Sequence, residues 1–139
     1  MNITIAQSDS EIMLCWDALH ELRPKLVREN FIMQARRMMK EGFMIAFIET
    51  EGKAVCVAGF RFEEMLFRGK SVYVDDLVTL PEHRSKKYGS KMMDWIIDFA
   101  KKHDCKQIHL DSGVQRFDAH RFYLNKGFNI TSHHFAMDI

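Results

Sequence analysis

The sequence predicts an α/β fold: one domain over residues 1–139, with a mixed central sheet of six to seven strands flanked by about four helices. Two observations carry this. Val72, Val74, Leu77, Val78 and Leu80 form an apolar run, largely β-branched, that is too dense for a half-exposed strand. It reads as a strand covered on both faces, interrupted by Asp75 and Asp76 and ended by Pro81. Beyond the turn, Met92, Met93, Ile96, Ile97 and Ala100 fall on one face of an amphipathic helix. A length of 139 residues lies within the ~100–200 usual for one domain and leaves no room for a second.

The remaining elements follow in order. Residues 2–7 alternate weakly and read as a first short strand, with Ser8 or Ser10 capping the helix after it. Ile12, Cys15, Trp16, Leu19 and Leu22 give a helical stripe. Pro24 marks a break, and Phe31, Ala35, Met38 and Met39 mark the buried side of a second helix that stops at Gly42. Residues 43–48 and 54–62 flank a turn containing Gly52, the pattern of a hairpin. The break at 63–70 hands the chain to the central strand, and three strands linked this closely must be antiparallel neighbours. After the central helix, residues 106–111 form a short strand that returns parallel to the 73–80 strand by a right-handed crossover. Phe117–Asn125 is a final helix ended by Gly127, and residues 128–139 are the last strand or strand pair.

Composition excludes several classes. At 47% hydrophobic, 28% charged and a formal net charge of +1, the chain has a globular make-up with no broad attraction for nucleic acid. No apolar run approaches the ~20 residues of a membrane span and no signal pattern opens the chain, which points to the cytoplasm. Cys15, Cys56 and Cys105 are odd in number and set among apolar neighbours, so they read as buried hydrophobes in a reducing compartment. The seven histidines show no H-x-x-x-H spacing, and adjacent His133 and His134 point to opposite faces, so no metal site is expected.

Between central strand and helix lies Arg84-Ser85-Lys86-Lys87-Tyr88-Gly89-Ser90. A basic, Gly-containing turn feeding a helix N-terminus offers free N–H groups and the positive end of the helix dipole to a phosphate. A solvated basic surface would look the same. The turn is neither a Walker loop nor a G-x-G-x-x-G fingerprint.

Strand, R-x-x-x-x-G-S opening a helix, and the later segment Ala119-His120-Arg121-Phe122-Tyr123 followed by Gly127-Phe128 together resemble the GNAT superfamily of N-acetyltransferases. Arg84 and Gly89 match the first and last positions of that family's pyrophosphate loop, [Q/R]-x-x-G-x-[G/A]. Lys87 stands where the family usually has its first Gly. Tyr123 matches the Tyr of its A-x-x-x-Y-x-x-x-G-F signature. The resemblance covers residue 73 onward well and the N-terminal half by pattern. It implies that acetyl-CoA, as cosubstrate and without a metal, inserts its pantetheine between two splayed parallel strands. The main-chain groups of Leu77 and Val78, the Arg84, Ser85, Lys86, Lys87, Tyr88, Gly89 and Ser90 loop, and Arg116 would contact it. Arg116 occupies a position where many relatives carry Asn.

Acyl transfer to an amine needs a neutral amine, a stabilised oxyanion and a proton for the departing thiolate. Tyr123 is the implied general acid, since a phenol of ordinary pKa, about 10, is protonated at neutral pH; packing alone is the alternative. For the base the chain offers Asp75 and Asp76, whose side chains leave opposite faces of the strand, so that at most one enters a given cleft. Carboxylates in an apolar strand are costly unless paired or functional; Asp76 is slightly favoured, an Arg partner is the competing role, and His83 and His120 are weaker candidates. The reading is a cytoplasmic acetyl-CoA-dependent N-acetyltransferase that acts on a primary amine by direct transfer in a ternary complex. No nucleic acid or membrane partner is expected, and a homodimer is left open. The alternatives are a catalytically silent CoA-binding regulatory or interaction domain of the same fold, and a partner-binding domain with no cofactor.

Overall fold

The computed structural model describes residues 2–139. Its elements run β1 (Ile3–Ile5), α1 (Asp9–Leu14), α2 (Trp16–Leu22), α3 (Arg28–Lys40), β2 (Phe43–Thr50), β3 (Lys53–Met65), β4 (Gly69–Thr79), a 3-10 turn at Pro81–His83, α4 (Tyr88–Lys102), β5 (Gln107–Leu110) and α5 (Phe117–Asn125). Among the described residues the mixed sheet has five strands in the order β1-β2-β3-β4-β5, with five α-helices. The expectation of six to seven strands and about four helices is corrected on both counts. Residues 128–139 form no strand: a strand is defined by an inter-strand ladder, and this segment makes none. The extra helix comes from the first helical stripe, which breaks at Cys15 into α1 and α2, although Ile12, Cys15, Trp16 and Leu19 all stay buried.

The chain divides into two compact units, one ending at His109 and one running Leu110–Ile139. In the first, β1 through β4 pair antiparallel, as the short connections require. Ser8 opens α1 with a capping box, accepting from the Glu11 N–H while the Glu11 carboxylate accepts from the Ser8 N–H. Trp16, Leu19, Phe31 and Ala35 of α2 and α3 bury against Phe43, Ile45, Phe47, Val57 and Val78 of the sheet. Phe60 points to the other side, where Trp95 and Phe99 of α4 meet it edge-on at 6.0 and 5.5 Å, and Met92, Met93, Ile96 and Ala100 are buried. In the second unit, α5 ends where Gly127 adopts φ 101° and Phe128 N–H bonds back to Tyr123 O at 3.0 Å.

One irregularity positions the site. Gly59 pairs with Asp76 and Phe60 with Val74, so Asp75 is an extra residue with no partner on β3, a β-bulge. Gly59 is glycine for a steric reason: a Cβ there would lie 2.5 Å from Phe43 Cζ and 2.8 Å from Asp76 Oδ2. Gly59→Ala should therefore cost about 1–3 kcal/mol through overpacking. Urea denaturation checks this, and an unchanged midpoint would mean that Phe43 and Asp76 yield freely.

Candidate functional site

A cleft of about 280 Å³ opens between α2, α3 and the sheet. Its walls are mostly apolar, from Leu19, Leu26, Phe31, Met38 and Phe43, and its polar groups include Arg23, Asp75 and Asp76. Both carboxylates line it, which overturns the expectation that at most one could. In a regular strand their side chains would diverge. The extra residue at the bulge resets the alternation, so two consecutive residues serve the same face.

The two acids are held differently. Asp75 is gripped in bidentate fashion by Arg61, with Nε to Oδ1 at 3.0 Å and Nη2 to Oδ2 at 2.6 Å. The Arg61 guanidinium also lies over the Phe43 ring, 5.1 Å from its centroid. Asp76 accepts one bond through Oδ1, from Arg23 Nε at 2.8 Å, while Arg23 Nη2 donates to Asp75 O at 2.9 Å. Burial pushes the Asp76 carboxyl above the ordinary carboxylate range, against the opposing pull of Arg23. Asp75 is thus locked, and Asp76 is the carboxylate whose proton affinity is raised. Arg23 escaped sequence reasoning; its position as the C-cap of α2 was the available signal, since a cation suits a helix C-terminus.

At the end of β4 the chain turns into α4. Ser85 and Lys87 both adopt left-handed backbone, φ 69° and 66°. No side chain caps α4 and no acidic residue occupies its first turn, so its leading amides suit an anionic group. Arg84 is exposed, with Nε 3.3 Å from Thr79 O and a long 4.0 Å approach to Glu21. At Gly89 a Cβ would meet only Thr79 Oγ1, at 3.7 Å, so no protein contact demands glycine there. Ser85, Lys86 and Lys87 lie along the turn, and Tyr88 and Ser90 in the first turn of α4. The residues present therefore fit the diphosphate of a CoA-type cosubstrate.

Leu77 and Val78 lie on β4 opposite Ala58 and Val57. On the other edge, the β5 segment begins where Lys106 N–H bonds to Lys70 O at 2.7 Å and extends for only four residues against eleven in β4. In the second unit, Arg116 is the N-cap residue of α5, and Tyr123 is half-buried with its ring edge-on to Phe122 and Phe128 at 5.4 and 5.8 Å. His120 Nε2 lies 2.8 Å from Gly113 O, and His83 Nδ1 is buried with no hydrogen-bond partner. Burial pushes the Cys15 and Cys56 thiols up to about 12 and about 11, which keeps both unreactive. Among the described residues, no three His, Cys, Asp or Glu side chains are grouped to hold a metal, and no helix is long and apolar enough to cross a membrane.

Solved structures with this architecture place it in the acetyltransferase fold. AAC(6')-Iy in complex with the bisubstrate analog CoA-S-monomethyl-acetylneamine superposes with a TM-score of 0.83 at 12% identity, covering 100% of this chain and 99% of that one. A ribosomal-protein-alanine N-acetyltransferase from Brucella melitensis biovar Abortus 2308 gives 0.83 at 12% identity, covering 100% of both chains. At the level of sequence, the model of the acetyltransferase (GNAT) family matches residues 10–128. An uncharacterized N-acetyltransferase of Bacillus subtilis (strain 168) is 36% identical over 125 residues, 87% of each chain. The chain belongs to the GNAT acetyltransferase family.

Lys87 holds a left-handed φ of 66°, a conformation that glycine adopts at lower cost than lysine. Lys87→Gly should relieve up to about 1 kcal/mol of backbone strain and raise Tm by a few degrees. A Tm lowered in differential scanning calorimetry would show that the lysine side chain compensates for its conformation.

Proposed function

We propose that the protein is an acetyl-CoA-dependent N-acetyltransferase acting on a primary amine by direct transfer in a ternary complex. The observation that carries this is the cleft in which the β4 bulge brings a carboxylate of raised proton affinity, Asp76, among mostly apolar walls. Acetyl-CoA supplies an acetyl group activated as a thioester. Arg84 and the amides from Ser85 to Ser90 hold its diphosphate, and Arg116 adds an ionic contact. Main-chain groups of Leu77 and Val78 take the pantetheine and stabilise the oxyanion; one such donor is worth about 3 kcal/mol in other acyl-transfer enzymes. Asp76 accepts the amine's proton, directly or through one water, and its raised pKa makes it a better acceptor than an ordinary carboxylate. Asp75 is a positioning residue, because Arg61 already occupies both its oxygens. The Tyr123 hydroxyl holds the proton that the departing thiolate takes up.

Binding and turnover test the two halves of this reading separately. Acetyl-CoA at 100 times its Kd should stabilise the protein by about 2.7 kcal/mol. No thermal shift would remove every CoA-based reading, whereas a shift without thiol release across an amine panel would favour a silent CoA-binding domain. Tyr123→Phe keeps the ring and its packing, so it should lower kcat by about 10²-fold with acetyl-CoA affinity and Tm nearly unchanged. Wild-type single-turnover rates in that variant would reduce Tyr123 to packing.

A further inference from the structure

We infer that the acceptor is a compact primary amine with an apolar body, an alkylamine or arylalkylamine, in preference to a polyhydroxylated polyamine. The inference rests on the acetyl-transfer reading for its chemistry and on the cleft for its class. The volume of about 280 Å³ is roughly twice that of a cavity of ~150 Å³ that takes benzene, which leaves room for an aromatic ring and a short aminoalkyl chain. The walls given by Leu19, Leu26, Phe31, Met38 and Phe43 reward apolar surface, and beyond the charged groups only Gln34 and Tyr73 of the lining could meet a hydroxyl, too few for a polyhydroxylated body.

Charge points the same way. The cleft holds two carboxylates, and each is already matched by a guanidinium: Asp75 by Arg61 and Asp76 by Arg23. A single amine that surrenders its proton to Asp76 fits this balance. A polycation would bring additional positive charges to a cleft whose two carboxylates each already face a guanidinium, so Arg23 and Arg61 would oppose it. Overall similarity of fold to AAC(6')-Iy therefore does not extend to the acceptor.

Phenethylamine and neamine are the probes. With acetyl-CoA, thiol release should give phenethylamine a kcat/KM at least tenfold above that of neamine. Ala35→Phe fills the cleft from α3, with Met38→Trp as a second filler should the first fail to fold. Either variant, folded by circular dichroism, should lose at least tenfold in kcat/KM for phenethylamine and lose its saturation-transfer NMR signal on the protein. The NMR readout needs no acetyl transfer, so it separates this inference from the reading beneath it. A phenethylamine signal sensitive to the fillers but without thiol release upholds the cleft assignment and counts against the enzyme. Preference for neamine, absence of a phenethylamine signal with wild type, or retention of that signal in both folded fillers overturns the inference.

Discussion

The extra residue Asp75 at the β4 bulge is the constraint on which the site depends. Without it, β4 would send Asp75 and Asp76 to opposite faces, one toward α2 and α3 and the other toward α4. With it, both face the cleft, and the surroundings are adjusted to accept them. Gly59 omits the Cβ that would strike Phe43 and Asp76, and Arg61 bridges from Phe43 to Asp75. Arg23 reaches across from the end of α2 to Asp76 and to the bulge carbonyl. Placing two adjacent acids in an apolar cleft is expensive, and two guanidiniums with good geometry offset that cost.

The guanidiniums are not equivalent. Arg61 satisfies both oxygens of Asp75 and makes it part of the framework. Arg23 meets one oxygen of Asp76 and is itself half-exposed, so burial outweighs it and the carboxyl stays above its ordinary range. The same pair of residue types thus gives one acid held through both oxygens and one held through a single oxygen, and at the second burial raises the carboxyl. The basic turn into α4 follows a different logic. There, backbone conformation at Ser85 and Lys87, together with an uncapped helix start, prepares main-chain donors, and side-chain charge is added around them.

Much of this was legible in sequence. The stripe at Met92–Ala100 and the Gly127 stop place α4 and α5 correctly, because period and termination are local properties, and the dense run at Val72–Val78 finds β4, although the strand starts at Gly69, inside the stretch read as a break. The importance of Lys87 was visible as a departure from a motif, but its left-handed φ was not. The bulge was out of reach, since period-2 reasoning assumes a regular partner and the extra residue is defined only by β3. Arg23 and Arg61 lie 53 and 14 residues from their carboxylates, and nothing local links them. Residues 128–139 misled because position after the last helix suggested a closing strand, and position does not create a ladder.

The claim that Asp76 is the titratable acid of the cleft is tested most directly by its side-chain carboxyl carbon in a ¹³C NMR titration, wild type against Arg23→Gln. Burial raises the carboxyl and Arg23 lowers it, so the wild-type midpoint should lie above the ordinary ~3.9 and removal of Arg23 should move it higher still. In sign, the ionised form is disfavoured by the fold, so Asp76 should take up its proton at a higher pH in the folded protein than in the unfolded chain. A wild-type midpoint at or below ~3.9, or a downward move in Arg23→Gln, would contradict the account.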